Sequence, residues 1–189
     1  MSRILIAYAS SYGQTRKIAN TLAAELRGRG HEVELADALM AMPPPVEDYD
    51  AVVIGSRIQL GLHARPLLEY IIDNRAELHA IPSYAFVVSN AAVGAKVADP
   101  SGYVAKLLAI THWQPRAAVA FAGGLPYRSY GVVLRFAMKL ISRFAGHSTD
   151  TRRDHEYTDW AQVRRLAAEI ARDLAPKQTA RPSAPHAQA

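Results

Sequence analysis

Strand-like runs alternate with helix-like runs along this chain, and that alternation constrains its fold more than any other feature. Arg3 to Ala9 is almost wholly apolar, which suits a strand buried on both faces of a parallel sheet. Gly13 follows. Ile18, Leu22 and Leu26 then recur at a spacing of four before Gly28 and Gly30 end the helical pattern. His31 to Ala36 sets Val33 and Leu35 against Glu32 and Glu34, the alternation of a second strand. Pro43-Pro44-Pro45 makes a rigid connection to a third strand, Tyr49 to Gly55. Pro66 can open a helix running to about Leu78, with Leu67, Leu68, Ile71 and Ile72 on one face. Ser83 to Ser89 reads as a fourth strand and Gly102 to Thr111 as a helix. Ala117 to Ala122 reads as a fifth strand, ending at Gly123-Gly124. A helical segment from about Gly131 to Ala145 precedes a last helix, about Asp159 to Leu174, which Thr158 or Asp159 can cap.

Strands that alternate with helices imply right-handed β-α-β units and a parallel sheet covered on both sides. The predicted class is therefore α/β: a doubly wound five-stranded parallel sheet, order 2-1-3-4-5, with an extra basic amphipathic helix after strand five. In such sheets ligands bind at the carboxyl ends of strands one and three, where the strand order reverses. The loops after strands one, three and four should carry the chemistry. Residues 1–174 read as one domain. Residues 175–189 hold Ala, Pro, Gln and Ser without apolar periodicity and read as a disordered tail.

Composition narrows the classes further. The chain has no cysteine, which excludes disulfides, thiolate metal sites and thiol redox chemistry and fits a cytoplasmic protein. No metal is expected. No apolar run reaches the roughly eighteen residues that a membrane-spanning helix needs, and Arg3-Ile4-Leu5-Ile6-Ala7-Tyr8 does not resemble a secretory signal. The formal charge of +5 favours anionic partners, or simply solvates the surface.

The first of the three loops is Ser10-Ser11-Tyr12-Gly13-Gln14-Thr15. A helix N-terminus presents unpaired N–H groups and a partial positive charge, which suit a phosphate. The hydroxyls of Ser10, Ser11 and Thr15 add donors, and Gly13 lets the backbone approach closely. No Gly-Lys-Ser/Thr follows and no G-x-G-x-x-G occurs, so neither an NTP loop nor a dinucleotide fingerprint is present. A monophosphate site or an ordinary turn after a strand remains.

Tyr8-x-Ser10-x-x-Gly13-x-Thr15-x-x-x-Ala19-x-x-Leu22 resembles the phosphate signature of the flavodoxins, with departures at Ala7 and Tyr12. A narrower resemblance extends along the chain. It rests on Gly13-Gln14-Thr15-Arg16-x-Ile18-Ala19, Val52-Val53-Ile54-Gly55 and Trp113-x-Pro115. It continues through Arg135-Phe136-x-Met138-Lys139-Leu140-Ile141, Thr149-Asp150-Thr151-Arg152 and Tyr157-Thr158-Asp159-Trp160-x-Gln162-Val163. These look like the quinone-dependent protoporphyrinogen IX dehydrogenases of bacteria, the FMN enzymes of the flavodoxin-like class. The resemblance implies FMN held by Ser10, Ser11, Tyr12, Gly13, Gln14 and Thr15. It implies that the loop Ser56-Arg57-Ile58-Gln59-Leu60-Gly61-Leu62-His63 after strand three packs against one side of the flavin ring, with Ser56, Arg57, Ile58 and Gln59 as its binding residues, and that Ser89, Asn90 and Ala91 after strand four flank the other. It also implies a porphyrinogen substrate and a quinone acceptor.

Catalytic groups are less defined. His63 can act as a proton donor or sit as an ordinary surface residue. Asp150 and His155 can serve as bases or as loop anchors. Arg57, Arg128 and Arg152 are candidates for substrate propionates. Arg135, Lys139 and Arg143 fall four apart on one stripe of the segment 128–145. That stripe can be a solvated edge, a contact with an anionic membrane on its inner face, or a carboxylate-binding wall. Its interleaved bulky apolar residues argue against nucleic acid. A flavodoxin-type electron carrier, an NAD(P)H:quinone reductase and a non-catalytic flavin-binding protein on the membrane are the other functions in view.

Overall fold

The computed structural model describes residues 1–89, 100–125, 155–156 and 158–175. Asn90, Ala91, Arg128, Asp150 and Arg152, the segment 131–145 and the tail from 176 lie outside them. In chain order the strands are β1 (Arg3–Tyr8), β2 (Glu32–Asp37), β3 (Ala51–Gln59), β4 (Leu62–His63), β5 (Ser83–Ser89), β6 (Ala117–Ala122), β7 (Gly124–Leu125) and β8 (His155–Glu156). The helices are α1 (Gln14–Arg27), α2 (Arg65–Asp73), α3 (Arg75–Ala80), α4 (Pro100–Thr111) and α5 (Trp160–Asp173).

The main sheet runs β2-β1-β3-β5-β6, all parallel, which is the 2-1-3-4-5 order expected from the alternation. A parallel sheet buried on both faces explains the unbroken apolar runs. Ile4, Ile6, Val53, Tyr84 and Phe86 face one core with Ile18, Leu22 and Leu26 of α1 and Val163, Leu166 and Ile170 of α5. Leu5, Val52, Ile54, Ala85 and Val87 face the other with Leu67, Ile71, Leu78, Leu107 and Trp113. Each fully buried leucine or isoleucine on α1 contributes about 1.5–3 kcal/mol, so this face, not helix propensity, holds α1 in place.

Four local features differ from expectation or resolve it. β3 does not stop at Gly55: Ser56 and Arg57 stay paired with Val87 and Val88 of β5. The strand then turns back through Leu60 and Gly61 into β4, with Ile58 opposite His63 and Gln59 opposite Leu62. Second, the helix expected from Pro66 to Leu78 is broken at Asn74, whose side chain donates to the Tyr70 carbonyl at 2.9 Å while its own carbonyl accepts from Leu78 N–H at 3.0 Å. A short polar side chain that bonds backbone favours such a helix junction. Third, Ile72 is 44% exposed rather than packed. Fourth, Asp159 caps α5 by accepting from the amides of Ala161 (2.9 Å) and Gln162 (3.2 Å), which lowers its carboxyl pKa. Thr158 is thereby free to bond elsewhere.

Candidate functional site

β1 ends at Tyr8, and the chain turns through Ser10–Gly13 into α1 at the point where the sheet order reverses. Gly13 holds the turn at φ 90°, a conformation that L side chains rarely adopt. It is the N-cap residue of α1 and brings no side-chain cap, so the first-turn amides of Gln14 and Thr15 have no acceptor within the helix. Ser10 is buried, and its Oγ accepts from Arg16 N–H at 3.2 Å. Arg16 in turn is paired with Asp37 at 2.9 Å, which anchors the loop to the end of β2. Gln14 Nε2 donates to Thr158 Oγ1 at 2.8 Å, and that hydroxyl donates to the Ala122 carbonyl at 2.8 Å. The loop is thus tied to β6 and to the start of α5, 144 residues away along the chain.

A cleft of about 340 Å³, part of it open to solvent, lies against this loop. Ser10, Ser11, Tyr12, Gln14 and Thr15 line one side, and Arg57, Ile58 and Gln59 of β3 line the other together with Val88. The two sides touch where Gln59 Nε2 donates to the Tyr12 hydroxyl at 3.2 Å. No carboxylate is among the described residues that line it. Arg57 Nε is buried without a hydrogen-bond partner, and burial lowers the pKa of that guanidinium. Ser89 Oγ, at the carboxyl end of β5, is also buried without one. Buried donors lacking acceptors are costly and rare. A helix N-terminus, several hydroxyls and an under-neutralised guanidinium, with no acid opposite them among the described residues, form a site for an anionic group. The donor set fits the phosphate of FMN.

The other predicted residues fall as follows. Ser56 is fully buried and does not line the cleft. His63 is 8% exposed and bonded on both ring nitrogens. Its Nε2–H donates to the Tyr103 carbonyl at 3.0 Å, and its Nδ1 therefore accepts from Ser56 Oγ at 2.8 Å. Burial lowers its pKa, so the neutral ring is the stable form at pH 7. His155 lies in β8, opposite Leu125 of β7. Nothing in the sequence signalled that His63 was buried: its partner carbonyl is 40 residues further on. The sequence also gives no sign that Val88 and Thr158 belong to the site, Thr158 standing there only as an alternative cap of the last helix.

The His63 environment gives a pH prediction. The folded pKa lies below the unfolded value near 6.5, so the unfolded chain binds a proton first and stability falls as pH drops through that value. His63→Leu takes from the Ser56 hydroxyl its acceptor at 2.8 Å, leaving it the Arg57 carbonyl at 3.3 Å, and takes from the Tyr103 carbonyl its side-chain donor but not its place in α4, and it is expected to cost about 1–2 kcal/mol at pH 7.5. Because the loss that comes from protonating His63 is confined to the wild type, the gap narrows at pH 5.5. Urea unfolding of both proteins at the two pH values checks this, and a gap that widens contradicts it.

Among the described residues no cluster of three or more His, Asp or Glu could hold a metal ion, and no helix is long and apolar enough to cross a membrane. A doubly wound sheet with an anion cradle at its switch point defines a nucleotide-binding α/β domain. The flavodoxin-domain family matches residues 5–152, and the chain belongs to that family. Among curated relatives, protoporphyrinogen IX dehydrogenase [quinone] of Escherichia coli K12 is 36% identical over 171 residues, covering 89% of this chain and 94% of the relative. The protein of the same name from Leishmania major is 30% identical over 175 residues, covering 89% of this chain and 74% of its own. Among solved structures, the Streptococcus pneumonia TIGR4 flavodoxin superposes with a TM-score of 0.52 at 12% identity, over 92% of this chain and 97% of that one. This last likeness concerns the fold alone.

Proposed function

We propose that this chain is an FMN-dependent oxidoreductase that converts protoporphyrinogen IX to protoporphyrin IX with a quinone as electron acceptor. The observation that carries the reading is the cleft at the switch point, walled by donors without acceptors, in a chain 36% identical to a dehydrogenase over 89% of its length. Six electrons and six protons leave the porphyrinogen, so three quinones become three quinols. Bound FMN would supply the two-electron acceptor chemistry that no side chain here can perform.

The chain's own residues supply binding and placement. The amides of Gln14 and Thr15 and the hydroxyls of Ser10, Ser11 and Thr15 would hold the phosphate, with Arg57 adding positive charge to the same cleft. Gly13 and Tyr12 shape the loop, and Ile58, Gln59, Ser89, Asn90 and Ala91 would flank the ring. Arg128 and Arg152, with Arg57, are assigned to the substrate propionates. Asp150 and His155 are assigned to proton transfer. His63, with both nitrogens engaged, is assigned to positioning β3 against α4. The catalytic domain spans 1–174 and the segment 175–189 is a tail. The chain works in the cytoplasm, with 128–145 in peripheral contact with an anionic membrane.

The test is anaerobic. The FMN-loaded protein is mixed with protoporphyrinogen IX and a menaquinone analogue, and porphyrin fluorescence is followed. Porphyrin that forms only with protein, FMN and quinone together is the expected result. A flavin-loaded protein that forms none, but is bleached by NADPH and passes electrons to quinone, would overturn the substrate assignment.

A further inference from the structure

β7 and β8 lie antiparallel, with Gly124 opposite Glu156 and Leu125 opposite His155. A pair so short does not hold itself together in water. Two steps further along the same register Thr158 falls opposite Ala122, the last residue of β6, and there a side chain takes over. The buried Thr158 hydroxyl donates to the Ala122 carbonyl at 2.8 Å and accepts from Gln14 Nε2 at 2.8 Å. A hydroxyl has one proton and two lone pairs, so both bonds stand at once. The next residue, Asp159, caps α5, and α5 packs on α1 through Val163, Leu166 and Ile170. Thr158 thus gathers the end of β6, the return at β8 and the starts of two helices. Its partner Gln14 is the first residue of α1. The Gln14 amide has no acceptor within the helix, and the residue lines the cleft.

We propose that Thr158 is a positioning residue for the FMN phosphate: through Gln14 it holds the first turn of α1 in the conformation that the phosphate needs, and in return the bound phosphate tightens the β7–β8 pair. One residue serves both partners, since Gln14 offers its amide to the phosphate while its side chain is fastened to Thr158. A phosphate on that amide fixes the backbone from which the side chain reaches out. Each contact therefore lowers the entropy that the other must give up. Linkage makes the effect mutual: the factor by which the Thr158 bond raises FMN affinity is the factor by which FMN favours the bond. Gly13 brings no side-chain cap, so the tie from Gln14 steadies a helix start that the cap residue does not. An ordinary loop anchor would steady the fold for any ligand. This one acts on the phosphate-binding turn, so its effect should follow the phosphate. The inference rests on the FMN reading alone and draws on neither the porphyrinogen nor the quinone.

The experiment uses the full chain with FMN and with riboflavin, which lacks the phosphate. Quenching of flavin fluorescence gives the affinities. Thr158→Val keeps the shape of the side chain and removes both bonds. Gln14→Met removes only the bond to Thr158 and leaves the Ala122 contact in place. Each should weaken FMN about fivefold, the factor that one neutral hydrogen bond commands, and leave riboflavin unchanged. Thr158→Ser, which keeps the hydroxyl, should bind FMN as the wild type does. The double variant should lose no more than Gln14→Met alone, because the bond is already broken. At saturating FMN, deuterium uptake by the peptide that carries β8 should slow in the wild type and not in Gln14→Met. Equal losses for FMN and riboflavin overturn the proposal, since a merely weakened fold does that. So do additive losses in the double variant, or a β8 that FMN protects as well in Gln14→Met as in the wild type. If Thr158→Val fails to fold, Gln14→Met and Thr158→Ser carry the same test. FMN affinities that do not move overturn the proposal whatever the porphyrin assay shows. Absence of porphyrin with the FMN differences intact would sink the dehydrogenase reading and leave Thr158 in its role.

Discussion

Gly55→Val is expected to remove at least about 3 kcal/mol of stability, enough to unfold much of the population of a domain of ordinary stability. Gly55 sits in β3, the central strand, between Tyr8 of β1 and Phe86 of β5. A Cβ built there would lie 2.2 Å from Phe86 Cζ and 2.6 and 2.8 Å from its two Cε atoms. The ring lies across the glycine and cannot swing away. Phe86 is fully buried and packs against Phe121, with ring centroids 5.9 Å apart. Even one added methylene in a filled core costs about 1–3 kcal/mol, and valine brings three carbons. The clashing atoms are those that leucine lacks at position 86. Gly55→Ala should therefore cost at least about 1 kcal/mol less in a Phe86→Leu background than alone, a coupling that a double-mutant cycle by urea denaturation reads directly. Gly55→Ala with no cost in the wild-type background would show that the ring does not lie over the strand.

That contact also marks the boundary of what the sequence disclosed. The strand order and the two faces of the sheet were legible because they follow from periodicity, and a doubly buried strand such as Ile4–Ala7 can hardly be anything else. The phosphate loop was legible because its physics is local: a glycine, a helix start and hydroxyls within six residues. The end of β3 was not. Ser56 and Arg57 are polar, and only their pairing with Val87 and Val88 makes them strand. The hairpin after them was hidden because Leu60-Gly61 stands where Asn-Gly would have announced a turn. His63 looked like a surface residue because its partners, Ser56 and the Tyr103 carbonyl, are brought to it by tertiary packing. The tie from Gln14 to Thr158 was hidden for the same reason, since no local pattern joins residues 144 apart. Contacts of this last kind place the site, and a single sequence carries no period that reports them.

Gly13→Asp is expected to lower FMN affinity by at least about 100-fold while leaving the fold intact. Among the described residues, its chain neighbours aside, no atom comes within 4 Å of the position a Cβ would take at Gly13, so packing there gives no reason for collapse. The left-handed backbone at φ 90° does strain any side chain, by about 1–2 kcal/mol. An acidic N-cap repays part of that by accepting from first-turn amides and complementing the helix dipole. The loss in binding comes from charge. A carboxylate about 5 Å from a phosphate, at an effective dielectric near 20, is repelled by about 3 kcal/mol for each unit of phosphate charge, which corresponds to a factor of about 100 or more. Gly13→Asn separates the two causes, because asparagine tolerates the left-handed region and carries no charge. Its affinity should fall only a few-fold. Riboflavin, which has no phosphate, should lose far less than FMN on Gly13→Asp, and added salt should narrow the difference between the two ligands. Quenching of flavin fluorescence on titration measures all of these. If Asp and Asn weaken FMN equally, the phosphate does not sit at the start of α1, and the buried Arg57 guanidinium becomes the anion site of the cleft.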